Sequence, residues 1–193
     1  MKVAAATKNN ESDLISLSLR GDRAAFGELV CCYHKSVINV VYRMCGDRHL
    51  AEDAAQEAFI KAWTKLGSYR PGTSFRNWVF RIAVNTALDM LRKQKSHQQI
   101  TIEDFEMEAS DPLPENTLIN TEWAKKVQAA VLSLPPASRS VLVLREYEGF
   151  SYQEIADMLD IPRGTVMSRL NYARGRLREI LEPELSAMEV EYA

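Results

Sequence analysis

Five arginines stand close together near the end of the chain, and their chemistry is that of phosphate binding. They occupy positions 163, 169, 174, 176 and 178, with no acidic residue among them. A guanidinium group stays charged and donates paired hydrogen bonds to phosphate, so such a cluster is typical of nucleic-acid binding. A second basic stretch, 76–95, carries five basic residues against one acid, Asp89. Because the net charge is only −2, the segregation of the charges, rather than their total, predicts an anionic partner.

The residues around the first arginines have the pattern of a helix-turn-helix. Ser151 and Glu154 are spaced as a capping box for a short helix. Pro162 opens a second helix, in which Val166 and Leu170 face inward one turn apart. The outward face then carries Arg163, Met167, Ser168, Asn171, Tyr172 and Arg174. Such side chains reach base edges in a DNA major groove, and the alternative is a helical hairpin with a solvated arginine face.

Two groups of helices must position these residues. Apolar residues recur at intervals of three and four, which predicts an all-α fold. The predicted helices cover 12–19, 22–45, 48–66, 75–94, 121–134, 136–147, 151–159 and 163–181. The stretch 96–120 has acids and prolines without a sustained period, so we predict a flexible linker between a domain at 1–95 and a domain at 121–193.

Composition narrows the function classes. Hydrophobic residues make up 46% and charged residues 26% of 193, which is typical of globular proteins. No apolar run approaches the roughly 20 residues of a membrane span, and the N-terminus lacks a signal-peptide core, so a cytoplasmic location is predicted. We find no phosphate-binding glycine loop, no HExxH and no Ser-His-Asp pattern. The sequence therefore predicts a binding protein without a cofactor, and not an enzyme.

Three cysteines raise the question of a metal or redox site. Cys31, Cys32 and Cys45 are an odd number without CxxC spacing, which argues against a disulfide framework. A metal site built from Cys31, His34, Cys45 and His49 is one alternative. Cysteines buried on a helix face are the simpler interpretation, and we predict no metal.

Taken together, these segments resemble the sigma-70 family of bacterial transcription initiation factors, in its small extracytoplasmic-function group. The residues 22–26 (DRAAF), 51–63 (AEDAAQEAFIKAW) and 75–92 (FRNWVFRIAVNTALDMLR) resemble sigma domain 2. Residues 134–178 resemble sigma domain 4, with no domain 3 between, and the resemblance spans about 14–181. It implies a factor that binds core RNA polymerase and promoter DNA and that is usually controlled by an anti-sigma factor.

The resemblance also implies that the helix at 52–63 docks on the coiled coil of the largest polymerase subunit. Its outer face consists of Glu52, Asp53, Gln56, Glu57 and Ile60. An acidic face of this kind suits a partner rich in arginine. An ordinary solvated helix face is the alternative.

The loop at 67–74 and the following helix are implied to read the minus-10 element as single-stranded DNA. Stacking planes, phosphate contacts and amides for a flipped base come from Tyr69, Arg70, Phe75, Arg76, Asn77, Trp78, Arg81 and Asn85. Tyr69 and Arg70, in a polar loop, are the favoured candidates. Phe75 and Trp78 are core residues in the alternative interpretation.

The helix-turn-helix is implied to read the minus-35 element as duplex DNA. The family's reading positions match Met167, Ser168, Asn171 and Tyr172. Some members of the family have arginine at the positions of Met167 and Tyr172, and this sequence does not. The resemblance therefore does not predict which promoter sequence the helix reads. Phosphate contacts are assigned to Arg145, Arg163, Arg169 and Arg174, and Thr165 completes the candidates.

Two alternatives remain open at this stage. The six acids between 103 and 115 either mimic nucleic acid inside polymerase, as the resemblance implies, or solubilise a spacer. A helix-turn-helix activator that binds DNA without polymerase would use the C-terminal half and leave the pattern at 52–92 unexplained. Binding to core polymerase distinguishes the two functions.

Overall fold

The computed structural model describes the backbone of residues 2–98 and 118–191, and the side chains of 11–94 and 122–183. Within these residues the chain is helical and has no strand, which confirms the all-α prediction. The elements are α1 (Lys2–Leu19), α2 (Arg23–Cys45), α3 (Arg48–Thr64), a 3-10 turn (Leu66–Ser68), α4 (Phe75–Gln98), α5 (Leu118–Ser133), α6 (Pro136–Glu146), α7 (Tyr152–Leu159) and α8 (Arg163–Glu191).

Several helices are longer than predicted. Helices α1, α4, α5 and α8 each extend beyond the residues that the periodicity indicated. The predicted linker at 96–120 is therefore shortened at both ends, because α4 runs to Gln98 and α5 begins at Leu118. The rest of that linker, including its six acids, lies outside the described residues. We call 2–98 the N-terminal domain and 118–191 the C-terminal domain.

Local signals set the helix ends in the N-terminal domain. The side chain of Asp22 accepts hydrogen bonds from the backbone N–H groups of Ala24 and Ala25, at 2.9 and 3.1 Å, and begins α2. Asp47 begins α3 in the same way. Between them, Gly46 ends α2 in the left-handed conformation, with φ of 79°. Such caps satisfy backbone groups that helix ends leave without partners.

Small residues let the helices of the N-terminal domain approach one another. Helix α3 contacts both α2 and α4, and its inner face consists of Ala51, Ala54, Ala55, Ala58, Phe59 and Ala62. Alanine adds little width to a helix, so neighbouring helices pack close to this face. Val79 and Phe80 from α4 complete the core. The packing fixes which face of α4 is left outside the domain.

The C-terminal domain is built around α6 and α8. Five consecutive residues of α6, 140–144, are buried, so this helix lies in the centre of the domain. Ile155, Ala156 and Met158 form the buried face of α7, and Leu159 is half-buried. Asp160 adopts φ of 53° and ends α7, which turns the chain into α8. This is the geometry of a helix-turn-helix.

The two domains pack against each other. Helix α2 contacts α5 and α6, and α4 contacts α7. At one joint, the guanidinium of Arg139 on α6 donates hydrogen bonds to the carbonyl of Met44, at the end of α2, and to those of Leu132 and Leu134. One half-buried cation thus serves helix ends in both domains, which otherwise have unpaired carbonyls.

Gly46 is at the same joint, and its substitution tests how tightly the domains fit. A Cβ at Gly46 would lie 2.7 Å from Cδ1 of Leu132, whereas one at Gly21, also at positive φ, would meet nothing within 4 Å. We expect Gly21→Ala to cost about 1 kcal/mol of stability through backbone strain. Gly46→Ala should cost about 1 kcal/mol more, because the contact must also be relieved. Urea unfolding of both variants measures the difference, and equal losses would contradict the close fit.

Candidate nucleic-acid and polymerase interfaces

The helix-turn-helix forms as the local sequence predicts. The Ser151 side chain accepts from the backbone of Glu154 at 3.2 Å, and Glu154 accepts from the backbone of Ser151 at 2.8 Å. Val166 and Leu170 are fully buried and fix the rotation of α8. The capping box and the inward pair are both confirmed.

That rotation places the predicted reading residues in solvent. Met167 and Tyr172 are 46% and 50% exposed, and Ser168 and Asn171 are exposed beside them. We call these four side chains the reading face. They offer hydrogen-bonding groups together with apolar surface, the combination that contacts base edges and thymine methyl groups.

The arginines around the reading face differ in their surroundings. Arg163 is exposed, whereas Arg169 and the candidate Thr165 are half-buried. Arg174 donates to one carboxylate oxygen of Glu146 from Nε and Nη2, at 3.1 and 2.6 Å. Exposed ion pairs contribute little to stability, so a phosphate can replace Glu146. The sequence did not indicate this partner.

Arg145 holds the turn before α7. It donates to the carbonyl of Phe150 at 2.9 Å, and its guanidinium lies 5.2 Å from the centre of the Tyr152 ring. A phosphate contact by Arg145, as the sequence predicts, would therefore have to replace its hydrogen bond to Phe150.

The aromatic candidates for single-stranded DNA pack against one another. The rings of Tyr69, Phe75 and Trp78 are 5.5 Å apart in every pair. Tyr69 is only 6% exposed and its hydroxyl donates to the carbonyl of Thr73 at 2.6 Å, while Phe75 is 4% exposed. The expectation that Tyr69 presents a free stacking plane from a polar loop is wrong, because neighbouring rings cover it and its hydroxyl has an internal acceptor. Phe75 is a core residue, and Trp78 is half-buried.

The polar minus-10 candidates, in the loop and on α4, fall into two groups. Arg70, in the loop, and Arg81 are exposed. Arg76, Asn77 and Asn85 instead make hydrogen bonds to the C-terminal domain. Sequence patterns could not indicate these bonds, because each joins residues more than 70 positions apart.

An apolar groove with a polar rim runs between α2 and α3. Its lining comprises Arg23, Phe26, Val30, His34, Ile38, Glu52, Gln56, Phe59, Ile60 and Trp63. We call it the docking groove. Ile60 is 57% exposed, and Asp53 is exposed on the same helix. Glu57 pairs with Lys61 at 2.5 Å. The sequence indicated the α3 face, but not the wall that α2 contributes.

The cysteines correct another expectation. Cys31 and Cys32 are exposed rather than buried, since they lie on the outer side of α2. Burial raises the pKa of Cys45 to about 12, against the opposing effect of Arg139, so this thiol stays protonated at neutral pH. Among residues 11–94 and 122–183, no group of three His, Cys, Asp or Glu side chains is placed to hold a metal ion.

Comparison with known proteins decides the family. Residues 29–97 match sigma-70 region 2, and residues 124–177 match sigma-70 region 4. The chain belongs to the sigma-70 family, in its extracytoplasmic-function (ECF) group. It is similar to the RNA polymerase sigma-H factor of Pseudomonas aeruginosa, with 36% identity covering 93% of this chain and 97% of that one. The ECF sigma-E factor of Escherichia coli is 38% identical, with 88% and 93% covered.

Solved structures of sigma factors share the fold. CnrH in complex with the cytosolic domain of CnrY superimposes with a TM-score of 0.67 and 25% identity, covering 90% of this sigma factor and 98% of that chain. RpoE of Bartonella quintana, in complex with the anti-sigma factor NepR, gives 0.70 and 26%, covering 81% and 96%. In the part of this sigma factor that the structure describes, no helix is long and apolar enough to cross a membrane.

The packing of Tyr69 leads to a prediction. Tyr69→Phe should lower the free energy of unfolding by about 1 kcal/mol, because the bond to the Thr73 carbonyl is lost. It should leave binding to single-stranded DNA unchanged, since the only group removed is a hydroxyl that already donates to Thr73 inside the domain. Arg70→Ala, which removes the exposed neighbouring cation, should weaken binding to single-stranded DNA and leave the free energy of unfolding unchanged. Urea unfolding measures the first effect, and fluorescence anisotropy with a labelled single strand measures the second. Weaker DNA binding by Tyr69→Phe at unchanged stability would contradict the prediction and show that Tyr69 contacts DNA.

Proposed function

We propose that this sigma factor binds core RNA polymerase and directs initiation at specific promoters, reading the minus-10 element as a melted single strand and the minus-35 element as duplex. It acts by binding alone, in the cytoplasm, and catalyses no reaction. The observation that carries the proposal is the orientation of α8. Buried Val166 and Leu170 leave the reading face in solvent, in a chain that also has region 2 of the same family.

Minus-35 recognition is assigned to the C-terminal domain, for which we propose the bounds 121–193. The reading face would contact base edges, and Arg163 and Arg174 would bind phosphates. Phosphate contacts position a protein on the duplex and base contacts supply its sequence preference. Arg163 and Arg174 are cations that flank an uncharged reading face, which supports assigning phosphate contacts to the arginines and base contacts to the reading face.

Minus-10 recognition is assigned to the N-terminal domain, with the proposed bounds 1–95. We define the minus-10 surface as the side chains of Arg70, Arg76, Asn77, Trp78, Arg81 and Asn85. They combine cations, amides and one partly accessible ring, the groups that bind an unpaired strand. Tyr69 and Phe75 would pack against the inner side of Trp78 and so hold its ring in this surface.

Polymerase docking is assigned to the docking groove. An exposed Ile60 in this groove, on the same helix as Glu52, Asp53 and Glu57, suits a partner that presents arginines around an apolar side chain. Because solved relatives are complexes with CnrY and with the anti-sigma factor NepR, we also propose that an anti-sigma factor controls this chain.

Transcription from a reconstituted holoenzyme tests the function. The chain added to core polymerase should direct initiation at promoters in its own genome, whereas the chain alone should bind the same duplexes weakly. Two small basic surfaces gain affinity chiefly when polymerase holds them at a fixed spacing. Tight, specific duplex binding without polymerase, and no transcription with it, would instead favour a helix-turn-helix activator.

A further inference from the structure

Helix α1 lies next to the minus-10 surface without supplying a side chain to it. It packs along α2 and also contacts the 3-10 turn at Leu66–Ser68, which leads directly into the loop that carries Tyr69 and Arg70. The segment that matches region 2 begins only at residue 29, so α1 lies outside it. The contribution of α1 to this part of the domain is a polar contact from Glu11.

Glu11 on α1 holds the hydroxyl group of Tyr33 on α2. The hydroxyl donates to Oε1 of Glu11 at 2.5 Å, between residues 22 positions apart. A hydrogen bond to a charged carboxylate is about twice as strong as one between neutral groups. Burial raises the pKa of Tyr33 and the Glu11 carboxylate raises it further, while Arg76 lowers it, so the hydroxyl stays protonated and remains a donor. Glu11 therefore fixes the polar end of the Tyr33 side chain.

The ring of Tyr33 is in contact with the rings that support the minus-10 surface. Its centre lies 5.8 Å from that of Phe75, and the Phe75 ring lies 5.5 Å from those of Tyr69 and Trp78. We call these four rings the aromatic cluster. Phe75 and Tyr69 are buried, whereas Trp78 is half-buried and belongs to the minus-10 surface. Rings in tilted and edge-on contact constrain one another's orientation, so a shift of Tyr33 would reach Trp78 through Phe75.

The bond from Tyr33 differs from the bond that the other hydroxyl of the cluster makes. Tyr69 donates to the carbonyl of Thr73, four residues away in the same loop, so that bond holds the loop itself. The bond from Tyr33 joins two helices. Burial raises the pKa of Tyr69, the bond to Thr73 lowers it, and the Glu11 carboxylate raises it, so the Glu11 charge lies near both hydroxyls. Glu11 thus acts where α1, α2 and the loop meet.

We propose that Glu11 is a positioning residue for minus-10 recognition: by holding the Tyr33 hydroxyl, it fixes the aromatic cluster so that Trp78 keeps the orientation that stacks on an unpaired base. The inference rests on the proposed minus-10 function. Glu11 itself does not touch DNA, and its negative charge repels a phosphate. Removing Glu11 therefore has two effects of opposite sign, because the loss of charge favours DNA binding and the loss of positioning weakens it.

Binding of the reconstituted holoenzyme to a fluorescent single strand tests the proposal. The strand carries the non-template minus-10 segment of a promoter that the holoenzyme transcribes. Glu11→Ala should weaken binding about fivefold, although it removes an acid, because fewer molecules hold Trp78 in the binding orientation. Tyr33→Phe should weaken binding by the same factor. The double variant should lose no more than either single variant, since both changes remove one interaction, whereas independent effects would multiply to about 25-fold.

Two further variants separate positioning from charge and from stability. Glu11→Gln removes the charge but keeps an oxygen that can accept from Tyr33, and should bind the strand within about twofold of the unaltered holoenzyme. Asp22→Ala also removes an acid from this domain, together with two capping hydrogen bonds at the start of α2. It should lower stability without weakening strand binding. Urea unfolding and co-purification with core polymerase are measured for every variant.

Trp78→Ala tests whether the effect passes through that ring. It should weaken strand binding by itself, and Glu11→Ala in the same chain should then cause no further loss.

The outcomes distinguish the positioning role from the minus-10 function. Unchanged or tighter binding by Glu11→Ala, a multiplied loss in the double variant, or a further loss in the Trp78→Ala chain would each overturn the positioning role. So would a loss in Glu11→Gln or Asp22→Ala as large as that in Glu11→Ala. If the unaltered holoenzyme does not bind the strand and ignores a pre-melted promoter, the minus-10 function itself fails, and the positioning role fails with it.

Discussion

The double substitution Asp53→Arg and Glu57→Arg will abolish binding to core RNA polymerase while leaving the fold intact. Asp53 is exposed, and Glu57 pairs with Lys61, which is partly exposed and also donates to Thr86 on α4. Both acids lie on α3, the helix that supplies Glu52, Gln56 and Ile60 to the docking groove, so two arginines there would face the cations of the proposed partner. Like charges across an interface cost several kcal/mol, which lowers affinity by a factor of about 100 or more. Co-purification with core polymerase gives the measurement.

The control variants place the same charge change elsewhere in the domain. Asp13→Arg with Glu28→Arg alters two exposed acids on α1 and α2 that do not line the docking groove. They should bind polymerase normally. Ile60→Asp should fail to bind through loss of apolar contact rather than charge. Unchanged co-purification of the Asp53 and Glu57 variant with core would remove the docking assignment.

Asn171→Ala will weaken binding to the native minus-35 sequence by about 1 to 3 kcal/mol and relax the preference at one or two base pairs. The Asn171 amide is exposed in the middle of the reading face, so its loss affects only the bases that it contacts. Binding of the holoenzyme to promoter duplexes with every single base change in the minus-35 element provides the measurement.

Arg174→Ala will weaken binding to all sequences alike. Its loss should reduce the salt dependence by about one ion, as expected when one phosphate contact disappears. Glu146→Gln provides the complementary control, because it frees Arg174 from its ion pair and should strengthen binding to every sequence slightly. If Arg174→Ala alters base preference instead, or Asn171→Ala weakens every duplex equally, the roles assigned to the two residues, base contact for Asn171 and phosphate contact for Arg174, must be exchanged.

The sequence determined the local architecture of both domains. Caps such as Asp22, Asp47 and Ser151 act on backbone groups two or three residues away, so reading along the chain finds them. The inward residues of α8 follow from helical spacing, and they leave the reading face outside without further information. Local patterns thus predict the helices of each domain, and the family resemblance predicts that the two domains serve one function.

Only the tertiary structure decided what the minus-10 candidates contact. Tyr69 lies in a loop of polar residues, and its burial depends on the rings of Phe75 and Trp78, which folding brings beside it. Arg76 reaches Glu148 across 72 residues of chain, and Asn77 reaches Glu154 across 77. The wall that α2 adds to the docking groove and the exposure of Cys31 likewise follow from how α2 is rotated against α3. Spacing of three or four residues determines a helix face, but the partner of that face depends on packing between segments that are distant in sequence.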